Sequence, residues 1–148
     1  MLVGEGPGSS EDQTGHPFVG RAGQLLSKIL KWVDLERKDI YICNIVKCRP
    51  PNNRNPKPKE VEACIGYLDR QIEIIEPKAI VLLGAVALKA LFKDNSLSIK
   101  RNRGNWREYK NIPVMPTFHP AFLLRQMTEE NKNAVKNDLN LVIKKIEK

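Results

Sequence analysis

From Gly20 onward the apolar residues Ala22, Leu25, Leu26, Ile29, Leu30 and Val33 recur at i, i+3, i+4, i+7, i+8 and i+11, the stripe that an amphipathic helix buries along one face. Ahead of that helix, Leu2 and Val3 read as the stub of a buried strand entering a turn at Gly4. Behind it, IYIC (40–43) reads as a second strand. Residues 49–58, RPPNNRNPKP, hold four prolines and three asparagines and predict a loop. Pro58 suits the first position of the next helix, where its missing N–H would have no intrahelical partner, and Val61, Cys64, Ile65, Leu68, Ile72 and Ile75 then keep helical spacing. AIVLLG (79–84) is a continuous apolar run closed by glycine, the pattern of a central parallel strand.

A short helix is predicted over 85–92, and a loop or small hairpin over the basic stretch KRNRGNWREYK (100–110). IPVMPTF (112–118) is a last strand, weakened by its two prolines. From Thr128 to Lys148, Val135, Leu139, Val142, Ile143 and Ile146 share one face opposite the lysines, a closing helix. The alternation of strand and helix predicts an α/β protein: one domain over residues 1–148, a three-layer α/β/α sandwich around a central, mostly parallel four-stranded sheet. Sites in such folds gather on loops leaving the carboxyl ends of strands. That places Gly4–Gly20, Asn44–Pro58, Gly84 and His119–Arg125 on one rim.

Charge narrows the class of partner. Lysine and arginine outnumber the acids 25 to 17, a formal net charge of +8, which favours polyanions and puts nucleic acid first. No run of apolar residues is long enough to span a membrane, and the opening residues lack the basic and apolar segments of a secretory leader, so a cytoplasmic location is expected. Three cysteines, Cys43, Cys48 and Cys64, argue for thiols or metal ligands over a disulfide framework. Cys43, inside an apolar strand, is assigned to the core, and Cys48 and Cys64 alone are a weak metal signal.

The run GEGPGSSEDQTGHP (4–17) is crowded with glycine and proline and predicts a turn without a packed element. It lacks the lysine–serine ending of a P-loop and the spacing of a dinucleotide fingerprint, and Glu5, Glu11 and Asp12 would repel phosphate. An uncharged planar ligand suits this loop better, with Phe18 either against it or in the core. His119 follows the last strand and falls on the same rim, as a packed residue or a catalyst. Phe122, Leu123 and Leu124, followed by Arg125, are either the start of a buried helix or a wedge for a base stack.

Four segments, GEGPGSSEDQTGHPFVGRAGQLL, YICNIVKCRPPNNRNPKPKEVEAC, AIVLLG and FHPAFLLR, together resemble the iron–sulfur uracil-DNA glycosylases of bacteria and archaea, the fourth family of that superfamily. The resemblance covers nearly the whole chain. It implies an enzyme of base excision repair that flips deoxyuridine out of DNA and hydrolyses the N-glycosidic bond to release uracil.

On that resemblance Phe18 would stack on the flipped base, with Gly6 and Pro7 beside it, and Asn44 would read the amide edge of uracil. His119 would donate a hydrogen bond to uracil O2, where negative charge grows. Leu123 or Leu124 would wedge into the gap and Arg125 would hold phosphate. Gly6 stands where better-known relatives carry a water-positioning aspartate, which leaves Glu5 and Glu11 as acidic candidates for orienting water, shaping the pocket or stabilising the cationic sugar.

The resemblance further implies a 4Fe–4S cluster on four thiolates, of which Cys48 and Cys64 match the later pair. The earlier pair has no counterpart, so the chain is expected to be N-terminally truncated relative to the family, or to lack the cluster. A monomer is expected, with uracil-containing DNA as partner. A fold-sharing DNA-binding module without catalysis is the alternative. A variant that bonds covalently to the abasic sugar is disfavoured, because its KRRIH insertion is missing.

Overall fold

The computed structural model describes every residue except Gly8, Cys48 and Lys148, and for Ser9 and Asn53 the backbone alone. Strands β1 (Leu2–Gly4), β2 (Ile42–Asn44), β3 (Ile80–Leu83), β4 (Arg107–Tyr109) and β5 (Ile112–Thr117) form one sheet in the order β2-β1-β3-β5-β4. The pairings of β1 with β2, β1 with β3 and β3 with β5 are parallel, and β4 runs antiparallel to β5.

The expectation of a mostly parallel sheet holds, but the strand count is five rather than four. The added strand is β4, inside the basic stretch read as loop or hairpin. Its charged sequence, REY, carries no apolar signal because it lies at an edge. The two residues joining it to β5, Lys110 and Asn111, have φ of 51° and 66°, the left-handed pair that a tight hairpin turn requires.

Alternate residues of the central strands feed two cores. Leu2, Val81, Leu83 and Met115 face α2 (Arg21–Trp32), α6 (Pro120–Arg125) and α7 (Glu129–Ile146) through Leu26, Ile29, Leu123 and Leu139. Val3, Ile80, Leu82 and Val114 face α3 (Pro58–Ile75) and α4 (Ala85–Phe92) through Leu68, Ile72 and Leu88. Each fully buried aliphatic side chain of this kind contributes roughly 1.5–3 kcal/mol. Cys43 lies in the second core, and burial raises its thiol to about 11.

Helix bounds follow the apolar spacing. Pro58 opens α3, and Thr128 caps α7, its hydroxyl accepting from the Asn131 N–H at 3.1 Å. The two prolines of β5 are accommodated by register. Pro113 precedes the first β5 residue paired with β3, Val114, and Pro116 lies beyond the last one paired with β4, so each sits where a neighbouring strand has ended. The opening run differs from its reading as a turn without packed elements: Ser9–Thr14 forms a short helix, α1. A four-residue helix, α5 (Ile99–Asn102), precedes β4. No helix among the described residues is long and apolar enough to cross a membrane.

Candidate active site

β1 and β2 end side by side at Gly4 and Asn44, which are paired in register. β3 and β5 deliver Gly84 and His119 to the same edge of the sheet. Gly4 is the close-approach point of this rim. A Cβ there would fall on the Phe18 ring and lie 2.8 Å from Asn44 Oδ1. The Phe18 ring in turn stands 5.7 Å from the His119 ring, tilted by 32°. Phe18, Asn44 and His119, three sequence-distant residues, are thus brought around one point.

Asn44 is 7% exposed, and its Oδ1 is buried without a hydrogen-bond partner among the described residues. Such an atom costs on the order of 1–3 kcal/mol unless something pairs with it. It is an acceptor held ready for a donor, close to the Phe18 ring.

His119 is the N-cap of α6, and its Nδ1 accepts from the Ala121 N–H at 2.9 Å. Burial first, and the charge of Arg125 second, push the imidazole down to about 4. At neutral pH it is uncharged, and with Nδ1 occupied as an acceptor its single proton is on Nε2. A neutral imidazole of fixed tautomer, with an Nε2 donor unpaired among the described residues, suits charge that develops during a reaction better than charge already present.

Two cavities meet the rim. One, of about 370 Å³, is lined by Pro7, Glu11, Asp12, His16, Asn44 and Lys47, among others. The second, of about 350 Å³, holds Glu5, Gly84, His119, Phe122 and Arg125, and also Lys100, which sequence reasoning did not single out. Asn44 therefore lines the first cavity and His119 the second, while Phe18, buried, lines neither. Burial raises the carboxyl of Glu5 above its ordinary value.

The remaining candidates separate by task. Glu11 Oε2 accepts from the N–H groups of Val19 and Gly20 at 2.8 and 2.7 Å, which ties α1 to the start of α2. Gly6 packs closely on Val46, whose Cγ2 would lie 2.5 Å from a Cβ at that position. Leu123 is fully buried in the core, whereas Leu124 is 40% exposed and Arg125 is exposed beside it. The apolar run is thus both a buried helix start and an exposed apolar tip.

Phe18 itself has φ of 53°, a left-handed conformation that non-glycine residues rarely adopt. Sequence reasoning missed the residue that faces it. Arg37 donates from Nη1 to the Pro17 carbonyl at 3.3 Å, from Nη2 to the Phe18 carbonyl and to the Gly23 carbonyl at 2.7 Å, and from Nε to Ser27 Oγ at 2.8 Å.

Of the two expected metal ligands, Cys48 lies outside the described residues. Cys64 is half-buried, and its Sγ accepts from the Lys47 N–H at 3.5 Å. Among the described residues no group of three or more His, Cys, Asp or Glu side chains could hold a metal. With Cys43 in the core, the chain's three cysteines leave two thiolates, half of what a four-thiolate cluster takes. The residues present do not by themselves fit such a cluster.

Comparison with known proteins sharpens this picture. Residues 1–142 match the family model described as Uracil DNA glycosylase superfamily. The chain is 51% identical over 142 residues to a Type-4 uracil-DNA glycosylase of Thermotoga maritima, covering 94% of this chain and 73% of the relative. It is 49% identical over 144 residues to a Type-4 uracil-DNA glycosylase of Sulfurisphaera tokodaii, covering 88% and 66%. A Type-5 uracil-DNA glycosylase of Pyrobaculum aerophilum is 31% identical over 137 residues, covering 82% and 60%.

Proposed function

The chain belongs to the uracil DNA glycosylase superfamily, and from that premise we propose that it is a DNA N-glycosylase that hydrolyses the bond between uracil and deoxyribose in DNA. The observation that carries the reading of the site is the buried, unpaired Oδ1 of Asn44 beside the Phe18 ring. A flipped uracil stacked on Phe18 offers N3–H to that oxygen and accepts at O4 from the Asn44 amide. Cytosine presents a donor in place of O4 and an acceptor in place of N3–H, and so leaves buried groups unpaired.

With the base spanning the two neighbouring cavities, His119 Nε2–H donates to uracil O2 as the glycosidic bond breaks and the leaving base gathers negative charge. A preorganised donor of this kind is worth about 3–4 kcal/mol of transition-state stabilisation in a site shielded from water. Because the imidazole is neutral beforehand, it stabilises the transition state more than the uncharged substrate. Glu5, in the same cavity, orients the attacking water, with Gly6 and Pro7 forming the wall of the base pocket. Leu124 fills the space left in the stack and Arg125 holds phosphate. Leu123 supports them from the core, and Glu11 acts through the shape of the loop.

Cys48 and Cys64 would supply two thiolates of an iron–sulfur cluster completed by ligands from elsewhere, whose contribution would be to fix the loop between them. Visible charge-transfer absorption of purified protein tests that assignment. One chain carries the stacking ring, the amide and the imidazole, which supports action as a monomer. A DNA substrate and relatives from Thermotoga maritima and Sulfurisphaera tokodaii support a cytoplasmic location, alongside the genome.

The test is release of free uracil from a single-stranded oligonucleotide bearing one deoxyuridine, followed by alkaline cleavage. His119→Ala is expected to slow release by roughly 100- to 1,000-fold. An alkali-resistant strand after incubation with the unaltered protein rejects the reading.

A further inference from the structure

We propose that Arg37 is a positioning residue that sets the Phe18 ring for base stacking, a role that rests on the function given above. The turn carrying Phe18 is held at four successive backbone groups by two side chains. The carbonyls of Pro17 and Phe18 accept from the Arg37 guanidinium, and the N–H groups of Val19 and Gly20 donate to Glu11 Oε2. The same guanidinium grips α2 through Gly23 O and Ser27 Oγ. One planar fork therefore docks the turn on the helix, a task for which five fixed donors suit arginine and a lysine ammonium does not.

Gly23 completes the dock. A Cβ there would fall on the carbonyl of Phe18, so the turn can reach α2 because that side chain is missing. With φ of 53°, Phe18 would relax towards the ordinary region if released. Its ring, now against Gly4 and the His119 ring, would swing away. Arg37 touches neither base nor sugar in this arrangement; it acts through the aromatic ring.

Two measurements on Arg37→Ala and Arg37→Lys test this. The first is a double-mutant cycle with Phe18→Ala in kcat/KM for uracil release. Base–aromatic stacking of this kind predicts a loss on the order of tenfold or more for Arg37→Ala in the unaltered background. Less than about twofold further loss is expected once the ring is absent, because the two residues then act as one unit. Equal losses in both backgrounds would show general destabilisation and overturn the proposal.

The second measurement needs no activity: the imidazole of His119, followed by NMR against pH in each folded variant. Loss of the Phe18 ring admits water, and the midpoint should rise from about 4 towards the ordinary histidine value. Arg37→Lys keeps the positive charge and serves if Arg37→Ala does not fold. An unchanged midpoint in the folded variants overturns the proposal, even where uracil release by the unaltered protein has failed and the functional reading has fallen separately.

Discussion

His119 illustrates how one backbone contact fixes a side chain's chemistry. The Ala121 N–H occupies Nδ1, burial disfavours the charged ring, and a donor at Nε2 is what remains. The unfolded chain binds a proton here near 6.5, the folded chain only near 4. Between those limits the unfolded state holds more protons, so stability rises with pH across the window and is lost as pH falls from 6.5 towards 4, by on the order of 3 kcal/mol. Thermal unfolding followed from pH 7 to pH 4 should show this decline, and His119→Asn, which caps a helix but does not titrate, should flatten it.

At this scale the sequence made Phe18, Asn44 and His119 legible through motif and rim position. Arg37 was invisible because its partners lie 10 to 20 residues back along the chain, and only the docking of a turn on α2 reveals the contact. Glu11 was legible as an acid in the site loop, but not as the acceptor for two backbone amides.

At the scale of elements, apolar periodicity located α2, α3 and α7, because those helices bury a stripe. It missed β4 and α1, whose charged and polar residues bury none, so hairpin pairing and local hydrogen bonds define them instead. One polar residue on a buried stripe could have been noticed: Asp138 lies three residues after Val135 and four before Val142.

The structure buries Asp138 completely and pairs it with Arg103 at 2.5 Å and with the Thr117 hydroxyl at 2.7 Å. This ties α7 to the end of β5, two residues before His119. A carboxylate tolerated there is one whose partners surround it, and removing it strands Arg103 in a partly buried site. Asp138→Ala should therefore lower the unfolding free energy by about 3–5 kcal/mol in urea titration, more than any surface carboxylate of α7.

At the scale of the whole molecule, the net charge of +8 makes DNA binding a process of counterion release. The logarithm of affinity should fall linearly with the logarithm of salt concentration, for uracil-containing and uracil-free strands alike. If Arg125 holds one phosphate as proposed, Arg125→Ala should make that slope shallower by about 0.7 on single strands, measured by fluorescence anisotropy.

The sheet order has a consequence for the history of each molecule. β1 precedes both of its neighbours in the sequence yet lies between β2 and β3, and its register is fixed only when residues 42–44 and 81–82 have arrived. β5, which brings His119 to the rim, follows later still. Every one of these parallel joins requires a long crossover, so the nascent chain gains little from early local contacts and closes late. The imidazole joins the aromatic ring and the amide only with that closure, which makes uracil release a report on the completed sheet: a chain interrupted before its last strand holds Phe18 and Asn44 but lacks His119.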